Sequence, residues 1–121
     1  MPNKLENLKM SNGVEFPIFG LGTWQAYDSA QLTQALEVAL ESGYRHIDTA
    51  EMYLNENIIG DFLDAKFKSG KFKRSDIFIT SKLAPFWHQP DYAEWAIDES
   101  LKSLKTDYID LFLIHNPCPY K

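Results

Sequence analysis

Thr23 and Trp24, Asp48, Lys82 and His115 stand in that order at the C-terminal ends of four apolar runs, and Tyr53 follows Asp48 by five positions. Together these side chains have the makings of a proton-transfer site. A free phenol titrates near about pH 10, and an ammonium brought against a phenol favours the phenolate. A phenol tuned in that way can give a proton to a carbonyl oxygen as negative charge develops on it. Asp48 can hold the Lys82 ammonium, and His115 can hydrogen-bond the same oxygen and orient the molecule that carries it. Taken singly, each residue has a plainer reading. An Asp or Lys at a strand end is most often a turn or ion-pair residue, His115 could be a satisfied core histidine, and Tyr53 could be an aromatic packed on its loop. Four such residues in succession, spaced at about one βα period, shift the balance toward a site.

Other chemistries fit the sequence less well. His46, His88 and His115 lack zinc-ligand spacing, and Cys118 is the single cysteine, so no metal is expected and no intrachain disulfide is possible. His88 reads as a solvated loop residue. No G-x-S-x-G elbow and no phosphate-cradling P-loop occur. The 121 residues carry a net charge of −5 with both signs interspersed. With no Lys/Arg stripe, nucleic acid is not an expected partner. No apolar run is long enough to span a bilayer, and residues 1–6 lack an apolar signal core. A lone cysteine suits a reducing compartment, so a cytoplasmic location is the expectation.

The elements that must position these residues can be read from the pattern. Residues 8–17 predict a hairpin, with Asn12-Gly13 as a type I′ turn, and residues 18–23 a short buried strand. A helix over 29–42, capped by Asp28 or Ser29, would bury Leu32, Leu36, Ala39 and Leu40 and stop at Gly43. A strand over 44–48 follows. Asn55 then starts a second helix with Ile58, Ile59, Phe62 and Leu63 inward, ending near Ser69-Gly70. Residues 76–82 form a third strand rich in β-branched and aromatic residues, and Pro85 and Pro90 bracket a loop. A third helix over 91–104 has Tyr92, Ala96, Leu101 and Leu104 as inward candidates. The last strand, 108–114, ends at His115, where Pro117 and Pro119 stop it.

Strands alternating with helices imply parallel strands joined by right-handed crossovers. Two α/β architectures compete: an open doubly wound sheet and a (β/α) barrel. After Gly20-Leu21-Gly22 the third glycine of a dinucleotide fingerprint is missing and no helix opens, which weakens the doubly wound reading. In a barrel the C-terminal strand ends meet on one face, where barrel active sites lie.

Four segments resemble the aldo-keto reductases: Phe19-Gly20-Leu21-Gly22-Thr23-Trp24; Gly43-Tyr44-Arg45-His46-Ile47-Asp48-Thr49-Ala50 running on to Tyr53-Leu54-Asn55-Glu56; Ile79-Thr80-Ser81-Lys82-Leu83; and Asp107 through Pro117. They span nearly the whole chain in family order. The resemblance implies a (β/α)8 TIM barrel that binds NADP(H) extended, without a doubly wound nucleotide fold. It implies that Asp48, Tyr53, Lys82 and His115 form a catalytic tetrad. Tyr53 is then the general acid, Lys82 eases release of its proton with Asp48 as partner, and His115 positions the carbonyl. Gly22, Thr23, Trp24 and Asp48 are implied at the nicotinamide end of the cofactor, and Trp24 and His115 at the substrate. Hydride passes to a small-molecule aldehyde or ketone, giving an alcohol. Asn116 departs from the aromatic residue frequent in the family.

A barrel of this type needs about 250 residues. The sequence is therefore expected to supply residues 1–121 as the N-terminal half of one: a hairpin, then about four parallel strands with three crossover helices. Strand side chains such as Ile77, Ile79, Phe112 and Ile114, pointing inward, would then meet water. The chain alone is expected to be inactive and to associate through that open face. Two alternatives remain: a truncated, non-catalytic reductase-like binding or regulatory module, and a Schiff-base aldolase with Lys82 as nucleophile.

Overall fold

The computed structural model describes residues 6–120. Residues 1–5 and 121 lie outside them, so the reading of 1–6 as lacking a signal core rests on sequence alone. The described residues begin with an antiparallel hairpin, β1 (Asn7–Lys9) and β2 (Glu15–Pro17). It continues as β3 (Leu21–Gly22), α1 (Ser29–Glu41), β4 (His46–Asp48), α2 (Glu56–Lys68), β5 (Phe78–Leu83), α3 (Pro90–Ser103) and β6 (Leu111–Ile114). Strands β3-β4-β5-β6 pair in sequence order, all parallel, into one open four-stranded sheet with β3 and β6 at its edges. This is the arrangement of a partial (β/α) barrel, with every strand end that precedes a loop on the same rim.

The helices form where the 3.6-residue period places apolar side chains on one face. In α1, Leu32, Leu36, Ala39 and Leu40 are buried, and Asp28 caps the helix by accepting from the Gln31 N–H at 2.8 Å. In α2 the buried stripe is Ile59, Phe62 and Leu63, with Gly60 among them. A Cβ on Gly60 would stand 2.2 Å from the Ser103 carbonyl oxygen, so glycine is what lets α2 approach the end of α3. These stripes close on Ile47 and Ile79 of the sheet, and on Ile77 just before β5, to make the core.

That core corrects one expectation. Ile77 and Ile79 are 1% and 0% exposed and pack under the helices, not toward a barrel interior. Side chains alternate along a strand, so assigning the register one residue off exchanges the two faces. The residues on the inner face are Phe78, Thr80 and Lys82, level through the register with Leu111 and Leu113. Phe112 and Ile114 lie beside Ser81 and Leu83 on the helix side, where Ile114 is exposed. The open inner face is therefore more polar than expected.

Four other expectations change. The turn at Asn12-Gly13 is not type I′, since only Gly13 takes a positive φ (87°). The Gly13 N–H bonds the Met10 carbonyl, and Asn12 accepts from the Val14 N–H instead, which gives a longer loop with a left-handed glycine at its end. The run 18–23 yields only a two-residue strand, with Ile18 and Phe19 exposed. Tyr92 on α3 faces solvent, and Ser100 is buried in its stead beside Ala96. Asn55 stands at the start of α2 without capping it, because its side chain is engaged elsewhere.

The hairpin closes the far end of the sheet. Phe16 lies edge-on to His46 and Phe78 at 5.1 and 5.3 Å between ring centroids. Pro17's carbonyl can only accept, so His46 donates to it from Nδ1 (3.2 Å) and accepts from the Thr80 hydroxyl at Nε2 (2.8 Å). Burial lowers the pKa of His46, which keeps the ring neutral in that setting.

Candidate active site

Two of the candidate residues ride on rigid strands. Asp48 ends β4, and Lys82 lies one residue before the end of β5. His115 follows the last residue of β6, its backbone N–H tied to the Leu83 carbonyl at 3.0 Å. Tyr53 is carried differently, at the end of a single 3-10 turn, Glu51–Tyr53, that leaves the rim after β4. The turn stops at Leu54, whose left-handed φ of 56° reverses the chain into α2. Behind it Asn55 is wholly buried and donates from Nδ2 to the Thr23 and Ala26 carbonyls at 2.8 and 3.1 Å. Asn55 also accepts from the Thr49 hydroxyl at 3.3 Å. It joins the loop after β3 to the start of α2, a role the sequence masks because Asn before a helix reads as a cap.

The structure gathers these residues around the Lys82 ammonium. Nζ donates to Asp48 Oδ1 at 2.7 Å, to the Thr49 carbonyl at 2.9 Å and to Tyr53 Oη at 3.1 Å. It also lies 4.7 Å from the centre of the Tyr53 ring. The Lys82 side chain is 13% exposed, so these contacts are only partly screened by water. Three polar partners thus surround Nζ, a setting that suits an ion-pair and hydrogen-bond centre better than the free amine nucleophile of a Schiff-base aldolase. The rings of Tyr53 and His115 stand edge to face at 86°, centroids 5.7 Å apart. His115 Nδ1 is buried with no partner among the described residues. Burial, and then the Lys82 charge, lower the pKa of His115 against the opposing pull of Asp48. A neutral imidazole that can donate one N–H is the form this favours at neutral pH.

The remaining candidates line the same rim beside Asp48. Thr23 is buried, and both its backbone N–H and its hydroxyl donate to the Asp48 carbonyl, at 3.1 and 3.0 Å. It braces Asp48, and its side chain presents no surface to a ligand. Gly22 has open space where a Cβ would stand, and Trp24 projects with 68% of its surface exposed. Asn116 accepts from the Cys118 N–H at 3.2 Å and is half-buried.

His88 is not the solvated residue expected: it is half-buried, and its Nε2 is enclosed without a partner among the described residues. Among the described residues no group of three His, Cys, Asp or Glu side chains could hold a metal ion. None of their helices is long and apolar enough to cross a membrane.

Parallel βα units thus bring an Asp, a Tyr, a Lys and a His to one rim of the sheet. The comparisons with known proteins narrow this. Residues 18–121 match the model of the Aldo/keto reductase family, and the chain belongs to that family. It is 40% identical over its whole length to estradiol 17 beta-dehydrogenase 5 of Mus musculus, covering 38% of that protein. It is 47% identical over 93% of its length to an aldose reductase of Encephalitozoon cuniculi, covering 36% of it. The solved aldose reductase of Schistosoma japonicum superposes with a TM-score of 0.90 at 46% identity, over 96% of this chain and 38% of its own. The aldo-keto reductase of Bombyx mori, crystallised in complex with NADP, does so with a TM-score of 0.90 at 36% identity, over 98% of this chain and 40% of its own. The chain thus spans less than half the length of these relatives.

Proposed function

We propose that this chain serves an NADP(H)-dependent reductase of small aldehydes or ketones, as the N-terminal half of a (β/α)8 barrel. The observation that carries the reading is the Lys82 ammonium held between Asp48 at 2.7 Å and the Tyr53 phenol at 3.1 Å. That arrangement is what favours catalysis over a non-catalytic binding or regulatory module. The bound cofactor supplies hydride to the carbonyl carbon. Tyr53 gives its proton to the carbonyl oxygen, and Lys82 stabilises the charge left on the phenol. Asp48 holds the Lys82 ammonium in place. His115 donates an N–H to the same oxygen and fixes the direction from which the carbonyl approaches. Gly22, Thr23, Trp24 and Asp48 form the nicotinamide end of the cofactor site, with Thr23 acting by bracing Asp48. Trp24 also forms one wall of the substrate pocket.

The activity proposed is that of a whole barrel in the cytoplasm. Residues 1–121 by themselves hold only the nicotinamide end of the cofactor site. Expressed alone, they are expected to bind NADPH weakly, to turn over poorly and to self-associate through the open face. The test of the catalytic reading is Tyr53→Phe in the full-length protein. Aldehyde reduction should fall by about 10²–10⁴-fold, while NADPH binding, read by fluorescence, stays as it was. Near-normal turnover in that variant would remove Tyr53 from the mechanism.

A further inference from the structure

Tyr53 has the weakest local support of the four site residues. A single 3-10 turn has poor hydrogen-bond geometry and little stability of its own. The turn is anchored before it by Thr49, whose N–H bonds the Thr80 carbonyl at 2.9 Å, and after it by buried Asn55. Between those anchors Met52 and Leu54 face solvent, at 43% and 80% exposure. Among the described residues, apart from Tyr53 itself, one side chain of the turn bonds to another segment. Glu51 accepts the indole N–H of Trp87 with both carboxylate oxygens, at 3.1 and 2.9 Å. Trp87 closes another 3-10 turn, Pro85–Trp87, which follows β5, the strand that bears Lys82. Its ring is held edge-on to Trp95 of α3 at 5.1 Å and lies 6.1 Å from Tyr92.

We propose that Glu51 and Trp87 are positioning residues: their charge-assisted hydrogen bond sets the rotation of the Tyr53 turn and so keeps the phenol oxygen on the Lys82 ammonium. The proposal rests on the reading of Tyr53 as general acid. Glu51 and Tyr53 are two residues apart on one turn, so swinging one swings the other. Trp87 and Lys82 are five residues apart on one strand and its loop. The hydrogen bond therefore closes a short ring of chain: turn, Tyr53, Lys82, β5, Trp87, Glu51. With that ring open the turn is free to rotate, and a displacement of about 1 Å at a reacting group can lower a rate by about 10²-fold. A hydrogen bond to an ionised acceptor is stronger than a neutral one, which suits Glu51 to holding a loop that is otherwise half in water.

The test uses Trp87→Phe, which keeps an aromatic ring but removes the N–H, with Glu51→Ala and Glu51→Gln in the full-length protein. Trp87→Phe and Glu51→Ala should each lower kcat by about 10- to 100-fold. The aldehyde KM and the NADPH Kd should stay within about twofold, and the double variant should be no slower than the worse single one. Glu51→Gln should recover most of the loss, since its amide oxygen can still accept the indole N–H. The ¹³Cζ resonance of Tyr53, assigned by its disappearance in Tyr53→Phe, should move in Trp87→Phe and Glu51→Ala and stay near its place in Glu51→Gln. That readout needs no turnover. If Tyr53→Phe proves fully active while the resonance moves as stated, the catalytic reading fails and the positioning role stands. An unmoved resonance in Trp87→Phe and Glu51→Ala overturns the proposal. So does a kcat loss that Glu51→Gln shares in full.

Discussion

His46 and Asp48 sit two residues apart on the same face of β4, and the surroundings of each end of the strand decide what each can do. At the hairpin end, Phe16 and Phe78 enclose His46, and both its ring nitrogens are satisfied by Pro17 and Thr80. At the opposite rim, Asp48 pairs with the Lys82 ammonium, which also reaches the Tyr53 phenol, and is partly open to water. The two ends share a sheet and a face, yet one is a packed plug and the other a set of charged groups with room beside it. A histidine is not a site because it is a histidine: both ring nitrogens of His46 are bonded, whereas His115 has a buried Nδ1 without a partner among the described residues.

The largest effect that separates the ends is expected from Lys82→Met. Removing the ammonium leaves Asp48 and Tyr53 without their shared partner. Aldehyde reduction should fall by about 10²–10⁴-fold, with the melting temperature little changed. His46→Ala should do the reverse. It removes a ring from between two aromatics and strands the Thr80 hydroxyl, at a cost of about 2–4 kcal/mol. Turnover below the melting transition should stay within severalfold of the unmodified protein. Thermal unfolding and steady-state rates on the two variants check both statements. If His46→Ala abolished turnover at full stability, the division between plug and site would be wrong.

Much of this division was readable in the sequence, for identifiable reasons. Asp48, Lys82 and His115 are placed by strand ends, and strands announce themselves through the β-branched and aromatic runs around Ile47, Ile79 and Leu113. Leu32, Leu36, Ala39 and Leu40 kept a strict helical period, so α1 was legible to within a residue or two. The face of β5 was not. In Asp76-Ile77-Phe78-Ile79-Thr80 apolar residues occupy both phases of the alternation, because Phe78 is covered by the hairpin while Ile77 and Ile79 are covered by helices. Periodicity cannot choose between two buried faces. The Glu51–Trp87 bond, 36 residues apart in sequence, and the burial of Glu56 gave no signal either. An acid near a helix start reads as dipole complement, and only packing reveals that it is enclosed.

Glu56 supplies the smallest and most conditional prediction, and it sharpens the contrast with Asp48. Both are carboxylates beside the same rim. Asp48 has a cation at 2.7 Å. Glu56, 5% exposed, has only the hydroxyls of Ser81 and Ser100 on Oε1, at 3.3 and 3.1 Å, and nothing on Oε2 among the described residues. Burial, opposed by those two hydroxyls and aided by the charge of Glu51, pushes its pKa up to about 7. A carboxyl with a raised folded-state pKa binds its proton more tightly when folded. Its contribution to stability is therefore most favourable below the unfolded value of about 4.3 and declines as pH rises toward 7, above which the buried charge imposes its full cost. Glu56→Gln keeps the shape and removes the charge. It should raise stability at pH 8 by up to about 3–4 kcal/mol, given a shift to about 7 and about 1.4 kcal/mol per pKa unit, and the gain should shrink toward nothing near pH 4.5. Urea unfolding of both forms across that range measures it. A gain independent of pH would mean that Glu56 is not the titrating group, and a loss at pH 8 would mean that the carboxylate has a cationic partner.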